Sequence, residues 1–299
     1  NEVNLTKITK EEYRASYIAL DESLKQLGIR DRINFVGGDL VQNDQRAWFD
    51  FMASNMSNLL YGYSSHMYWD DNDVIKPISR LTEVSTIIKG LGSATKPVYI
   101  TEYGVRGGNK TGPSPGYLTG TTTPISQTNE SAFQNALFQI NGLNLGFSGF
   151  IRWDCYKAKY DNGTQYFSCI GSGTDGYPLY PLYFMTWLFT NTCKPGWNVI
   201  ETKKESDTDK VVAAMYEPQD KNWTVYALNN STKISPYTIG GLPQNRTFHF
   251  VRWNDNRDGK ISIDSDIKSD KEGNLQISIK PKSVIALTTL NLNIDQLPK

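Results

Sequence analysis

The feature that most constrains this chain is a change of rhythm near residue 195. Before it, short apolar runs alternate with helix-length amphipathic stretches. Ile33-Asn34-Phe35-Val36 is a strand signal that leads into Gly37-Gly38. Leu59 to Tyr63 is a second, ending at His66. Val98-Tyr99-Ile100 is a third, ending at Glu102, and Gly149 to Trp153 is a fourth. Helical periods over 9–27, 45–56, 77–91, 130–143 and about 182–192 separate and follow them. The first repeats apolar residues at Tyr13, Tyr17, Leu20, Leu24 and Leu27, and Gly28 stops it. Thr9 and Glu12 have the spacing of a capping box at its start. Alternation of this kind predicts parallel βαβ units. Counting Asn1 as the end of a strand gives five strands and five helices. They fit either an open doubly wound sheet or the last five eighths of a (β/α)₈ barrel. No Gly-rich phosphate loop follows a strand, which argues against a nucleotide-binding sheet.

After residue 195 the runs are short, β-branched and bounded by turns: 211–215, 223–227, 247–251, 275–279 and 284–287. They predict an all-β module, a sandwich, over 196–299. No low-complexity linker separates the two parts, so a tight contact between them is expected.

Lys+Arg and Asp+Glu both number 31, giving a formal net charge of zero. Without a broad field of one sign, neither nucleic acid nor an anionic membrane is an expected partner. No apolar run reaches the length of a membrane span. Cys155 and Cys169 bracket a loop and could pair, leaving Cys193 over; spacing does not decide it. No metal-ligand spacing is present, and neither metal nor cofactor is expected. Asn254-x-Asn256-x-Asp258-Gly259 has the opening of a calcium loop, but its twelfth position is Ser265 where a bidentate Glu is wanted. A polar hairpin turn is the better reading. Nine N-x-S/T sequons, from Asn4 to Asn245, fit a secreted protein or an Asn-rich one.

Polar and aromatic residues gather where the first-part strands end. Asn1-Glu2, His66-Met67-Tyr68-Trp69, Thr101-Glu102-Tyr103-Gly104 and Arg152-Trp153 occur in that order, with 100 positions between Glu2 and Glu102. In a (β/α)₈ barrel the C-terminal strand ends build the active site. Hydrolysis of a glycosidic bond needs two carboxyl groups flanking the bond.

This combination resembles the clan A glycoside hydrolases, especially families 5 and 39. The resemblance covers roughly residues 1–195 and implies a (β/α)₈ barrel, of which 1–195 supplies strands four to eight. It implies that Glu102 is the nucleophile and Glu2 the acid/base of a retaining reaction. Asn1 is then expected to bond the 2-hydroxyl of the reacting sugar. Tyr68 should contact Glu102, His66 should join the same network, and Trp153 should stack under the sugar. Val36-Gly37-Gly38-Asp39 resembles the fifth-strand end of family 39. Trp69 and Tyr103 are candidates for lining the subsites or for packing in the core or rim. The expected activity is endo cleavage of β-glycosidic bonds in a secreted or extracytoplasmic setting. An exo-acting glycosidase of the family 39 type is the alternative within that chemistry. A carbohydrate-binding protein on an inactive barrel is the alternative outside it. The loop 106–127 is expected to wall the cleft, and the sandwich to buttress the barrel or to bind polysaccharide itself. By the same resemblance, the first three barrel strands should come from a missing N-terminal half of the same protein.

Overall fold

A computed structural model describes residues 1–42, 44–107, 116–156, 167–203, 209–254 and 259–292. Two compact units divide the chain. One comprises Asn1–Trp69, Asp73–Gly104 and Leu145–Trp153; the other comprises Asp70–Asn72, Val105–Asn144 and Asp154–Lys299.

The first unit is built on a parallel sheet. Its strands are β1 (Val36–Leu40), β2 (Gly62–Trp69), β3 (Val98–Val105) and β4 (Gly149–Phe150), hydrogen-bonded in chain order. Helices α1 (Lys10–Gln26), α2 (Gln45–Asn55) and α3 (Ile75–Lys89) belong to it. The alternation read from the sequence is therefore present, with four described strands instead of five. Asn1 ends no strand: Glu2 has φ 50° and ψ 47° and caps a short 3-10 turn, Val3–Leu5. That left-handed backbone cannot continue a ladder.

Helix α1 begins and ends as its sequence dictates. Thr9 accepts from the Glu12 N–H, and the Glu12 carboxylate accepts from the Thr9 N–H, completing the capping box. A cap of this kind stabilises a helix by about 1 kcal/mol. At the other end Gly28, at φ 67°, donates to the Lys25 carbonyl, and Ile29 donates to Leu24. This is a Schellman ending, which needs a left-handed residue at that position. Tyr13 and Leu24 are buried, whereas Leu20 and Leu27 are exposed. The buried stripe passes instead through Asp21, which pairs with Arg30 and, at 2.6 Å, with Lys25.

In the second unit a six-stranded antiparallel sheet carries β5 (Asn198–Ile200), β6 (Lys210–Glu217), β7 (Asn222–Asn229), β9 (Thr247–Asn254), β10 (Ile261–Lys268) and β12 (Ser283–Thr288). Its order is β10-β9-β12-β7-β6-β5. Strands β8 (Ser235–Ile239) and β11 (Leu275–Ile279) form a separate antiparallel pair. Alternate residues of the large sheet, among them Val225, Ala227, Phe248, Phe250, Ile285 and Leu287, pack with Tyr237, Ile239, Leu275 and Ile279 of the small one. That shared core makes the module a sandwich.

Helices α4 (Asn129–Asn144) and α5 (Pro181–Thr192) group with this sheet rather than with the parallel one. The Asn144 amide donates to the Val212 carbonyl at 2.8 Å. The Thr224 hydroxyl donates to the Thr192 carbonyl, and the Phe189 and Tyr226 rings lie 4.6 Å apart. A boundary at 195 follows the sequence rhythm; the contacts place α4 and α5 on the other side of it.

No disulfide forms among Cys155, Cys169 and Cys193. Cys155 is exposed and Cys169 buried, so the two thiols face different surroundings. Two sequon asparagines hold structure with their amides: Asn229 is fully buried and donates to the Ile279 carbonyl, and Asn4 donates to the Val41 carbonyl. The calcium-like run at 254–259 lies largely outside the described residues, as does part of the loop 106–127. Among the described residues, no helix is long and apolar enough to cross a membrane.

Candidate active site

The first unit brings Glu2, His66, Tyr68 and Glu102 together. His66 and Tyr68 lie two apart on β2, so their side chains share a face. Glu102 lies in the C-terminal half of β3, the neighbouring strand. All three therefore sit toward the same end of a parallel sheet, where ligands of such sheets bind.

Glu2 reaches them from outside the sheet. Asn4 clamps its segment to the chain just beyond β1: the Asn4 amide donates to the Val41 carbonyl at 2.8 Å, and Val41 N–H donates back at 3.0 Å. Val3 is buried beneath. With residues 3 to 5 fixed, the left-handed turn at Glu2 aims its carboxylate at His66.

His66 is the centre of the cluster. Its side chain is 1% exposed. Nδ1 lies 3.3 Å from Glu2 Oε1 and 3.4 Å from Glu102 Oε2. The nearest donor atoms of Glu2, His66 and Glu102 are all within 4.8 Å of one another. That spacing would let one cation be shared, and a protonated imidazole supplies that charge without an added ion. The Tyr68 hydroxyl donates to Glu102 Oε2 at 2.8 Å. Behind His66, the Arg80 guanidinium donates to the His66 carbonyl at 3.2 Å.

Asp39 completes the group; the sequence marked the run that carries it, Val36-Gly37-Gly38-Asp39, but gave Asp39 no role in the site. Its Oδ1 lies 3.5 Å from His66 Nε2 and accepts from the Thr101 hydroxyl at 2.7 Å and from the Ser64 hydroxyl at 2.9 Å. The β1–β2 register slips between Gly37 and Leu40, so β1 carries a bulge here. Gly38 has φ 129° and Asp39 has φ 51°. A Cβ on Gly38 would run into the Ser64 carbonyl. The Gly37-Gly38 pair was the available signal: two glycines before an acid inside a strand mark a bulge that re-aims a side chain. The Gly38 N–H donates to the Tyr13 hydroxyl at 2.8 Å, and Tyr17 donates to the Val36 carbonyl at 2.8 Å. Helix α1 thus holds the bulge in shape.

The charges are matched. The hydrogen bond from His66 holds the Asp39 carboxyl well below the usual carboxylate range; burial opposes this, and Thr101 and Ser64 add to it. Burial alone would depress His66, but Asp39, Glu102 and Glu2 outweigh it and hold the imidazole above its ordinary value.

The remaining sequence candidates divide. Asn1 is exposed beside Glu2. Trp153 is half-buried beyond β4, its N–H donating to the Tyr103 carbonyl at 3.3 Å. Trp69 and Tyr103 take the packing alternative: they are 1% and 3% exposed, too enclosed to offer a ring face to a sugar. Tyr103 packs edge-on against Phe150, with centroids 6.2 Å apart. Their place on alternating strand faces explains this: each follows a site residue by one position and points the other way.

No protein-family model matches the sequence. No curated protein matches it either. Solved structures do resemble it in fold. The alpha-L-arabinofuranosidase from Thermotoga maritima, solved with arabinose, superposes with a TM-score of 0.63 at 14% identity, covering 94% of this chain and 62% of that one. The catalytic domain of GH30 xylanase C from Talaromyces cellulolyticus gives 0.66 at 13%, covering 95% and 57%. The GH51 alpha-L-arabinofuranosidase from Thermotoga petrophila gives 0.62 at 14%, covering 95% and 63%. The chain thus shares the fold of glycoside hydrolase structures, a parallel α/β part followed by an antiparallel β domain. It spans about three fifths of their length.

Proposed function

We propose that this chain carries the catalytic carboxylates of a retaining glycoside hydrolase of clan A. The observation that supports this most is the approach of Glu2 and Glu102. Their nearest carboxylate oxygens lie within 4.8 Å. Retaining enzymes hold their two carboxyl groups about 5–5.5 Å apart, and inverting ones about 6.5–9.5 Å apart to admit a water. The shared fold with an arabinofuranosidase and a xylanase supports the same class.

In this reading Glu102 attacks the anomeric carbon, and the C–O bond to the leaving group breaks. Glu2 gives its proton to the departing oxygen. A covalent glycosyl ester on Glu102 results. Glu2, now a carboxylate, takes a proton from water, which attacks the same carbon and releases Glu102. The Tyr68 hydroxyl at 2.8 Å fixes one oxygen of Glu102, which leaves the other to attack. His66 Nδ1 lies 3.3 Å from Glu2 and 3.4 Å from Glu102, one anchor for both groups through the two steps. Preorganised charge of this kind is the main source of rate in such sites.

The substrate proposed is a polysaccharide or oligosaccharide with β-glycosidic bonds, cut within the chain and outside the cytoplasm. We assign strands β1 to β4 to a (β/α)₈ barrel whose other strands come from the rest of the same protein. Asn1 and Trp153 would then contact the sugar.

The test uses the full-length protein with a panel of 4-nitrophenyl glycosides, including the β-D-xyloside and the α-L-arabinofuranoside, and with xylan. Glu102→Gln should abolish turnover while binding persists. Glu2→Gln should slow hydrolysis of xylan about 10²–10⁴-fold, the usual share of an acid/base, and spare aryl substrates with good leaving groups. Retained turnover in Glu102→Gln would sink the assignment. Wild-type binding without any turnover would favour a carbohydrate-binding protein. Product lengths from xylan separate endo from exo action.

A further inference from the structure

We propose that Asp39 is a positioning residue that acts through His66, fixing the imidazole so that its Nδ1 faces Glu2 and Glu102 together. The inference rests on the catalytic reading of those two carboxylates. Its core, the control of His66 by Asp39, stands on geometry alone.

An imidazole has two nitrogens, and the partner of one decides what the other does. Here Nε2 faces Asp39 Oδ1 at 3.5 Å, and Nδ1 faces Glu2 and Glu102 at 3.3 and 3.4 Å. Three carboxylates from three segments surround one ring. With both nitrogens protonated, Nδ1–H donates to Glu2, and the positive ring faces Glu102 and Asp39 at ion-pair distance. With only Nε2 protonated, Nδ1 would present a lone pair to Glu102, and to Glu2 whenever Glu2 is a carboxylate. Asp39 favours the first state by adding a third negative charge on the far side of the ring.

Asp39 is itself over-determined. Thr101 on β3 and Ser64 on β2 both donate to its Oδ1, at 2.7 and 2.9 Å, and the Ser64 hydroxyl also accepts from the Asp39 N–H at 2.7 Å. Its left-handed φ of 51° follows a glycine that tolerates no side chain. Backbone strain held by its surroundings in this way gathers where a side chain must be aimed. Other polar side chains of the described residues make contacts elsewhere. Arg80 meets the His66 carbonyl, Tyr68 meets Glu102, and Tyr13 meets the Gly38 N–H.

This chain holds two histidines, His66 and His249, whose imidazole signals His66→Gln and His249→Gln would assign in the full-length protein. His249 pairs with Asp266 at 2.9 Å in the other unit and serves as an internal control. The experiment is an NMR titration of both imidazoles in full-length protein, wild type and Asp39→Asn. Asn keeps the shape and tolerates the left-handed backbone. In the wild type, His66 should remain protonated above the ordinary histidine range. In Asp39→Asn its titration should move to lower pH while that of His249 stays. In the same variant kcat should fall, by up to about 10²-fold for a slightly misplaced group, with KM little changed. A wild-type His66 titrating at or below the ordinary range would overturn the proposal without any variant. So would an unmoved His66 in folded Asp39→Asn. If Glu102→Gln stays active while His66 still responds to Asp39, the catalytic reading fails and the positioning stands. If Glu102→Gln is dead and His66 ignores Asp39, the positioning fails alone.

Discussion

Gly38→Ala should cost this protein far more than an ordinary glycine substitution, and the structure sets the size. Gly38 has φ 129°, a region that residues with a Cβ rarely enter. Such strain costs about 1–3 kcal/mol. The new Cβ would also meet the Ser64 backbone, against the carbonyl oxygen and 3.2 Å from both its C and N atoms. Those atoms belong to β2, which is hydrogen-bonded on both sides, so no side chain can rotate away. Overpacking of this sort costs about 1–3 kcal/mol more. The expected total is roughly 2–6 kcal/mol. Gly28→Ala is the control. Gly28 also has a positive φ, 67°, but open space surrounds the place of its Cβ. Only the left-handed strain of about 1–2 kcal/mol applies there. The assay is urea unfolding of both variants and the wild type, followed by tryptophan fluorescence and by circular dichroism. Gly38→Ala should unfold at clearly lower urea than Gly28→Ala and should lose activity before it loses structure, because the bulge aims Asp39. Equal midpoints for the two variants would refute this account of the bulge.

Tyr68→Phe removes a hydrogen bond to a carboxylate, worth about 1.5–3 kcal/mol, so kcat/KM should fall roughly 10- to 150-fold with the fold intact; an unchanged value would mean that the contact is idle. The Asp39 carboxyl lies below its usual range, so its stabilisation is present above the unfolded-state value near 3.8 and is lost as pH falls toward the folded value. His66 lies above its usual range, so its stabilisation is full below the unfolded-state value near 6.5 and is lost as pH rises through the folded value. Thermal stability should therefore peak between about pH 4 and 6.5, and Asp39→Asn should flatten both flanks; identical profiles would contradict the pairing. A thiol reagent should modify Cys155 first in the native protein, since Cys169 is buried and burial pushes the Cys193 thiol up to about 11; early labelling of Cys193 would contradict that placement.

Much of this was legible in the residues. Strand–helix alternation gave the parallel sheet, and the Thr9–Glu12 spacing and Gly28 gave both ends of α1, because those signals are local. His66, Tyr68 and Glu102 were legible because each lies in the C-terminal half of a strand, and parallel strands gather those halves. Asp39 was not, because its role depends on a bulge whose partner, Ser64, lies 25 positions away. Glu2 is aimed by a still more distant contact, Asn4 with Val41, 37 positions apart. Trp69 and Tyr103 show the converse: adjacency in sequence to a site residue places a strand residue on the opposite face. The grouping of α4 and α5 with the antiparallel sheet was hidden because an apolar helix face does not name the sheet that covers it.

In the proposed double displacement, Glu102 becomes covalently linked to the sugar. The direct measurement is peptide mass spectrometry of full-length protein treated with an activated 2-deoxy-2-fluoro glycoside of the sugar it turns over. One added glycosyl mass is expected on the peptide that carries Glu102, formed as activity is lost. A label on another carboxylate would contradict the assignment of Glu102. Turnover with no labelled peptide and with inversion at the anomeric carbon would contradict the double displacement itself.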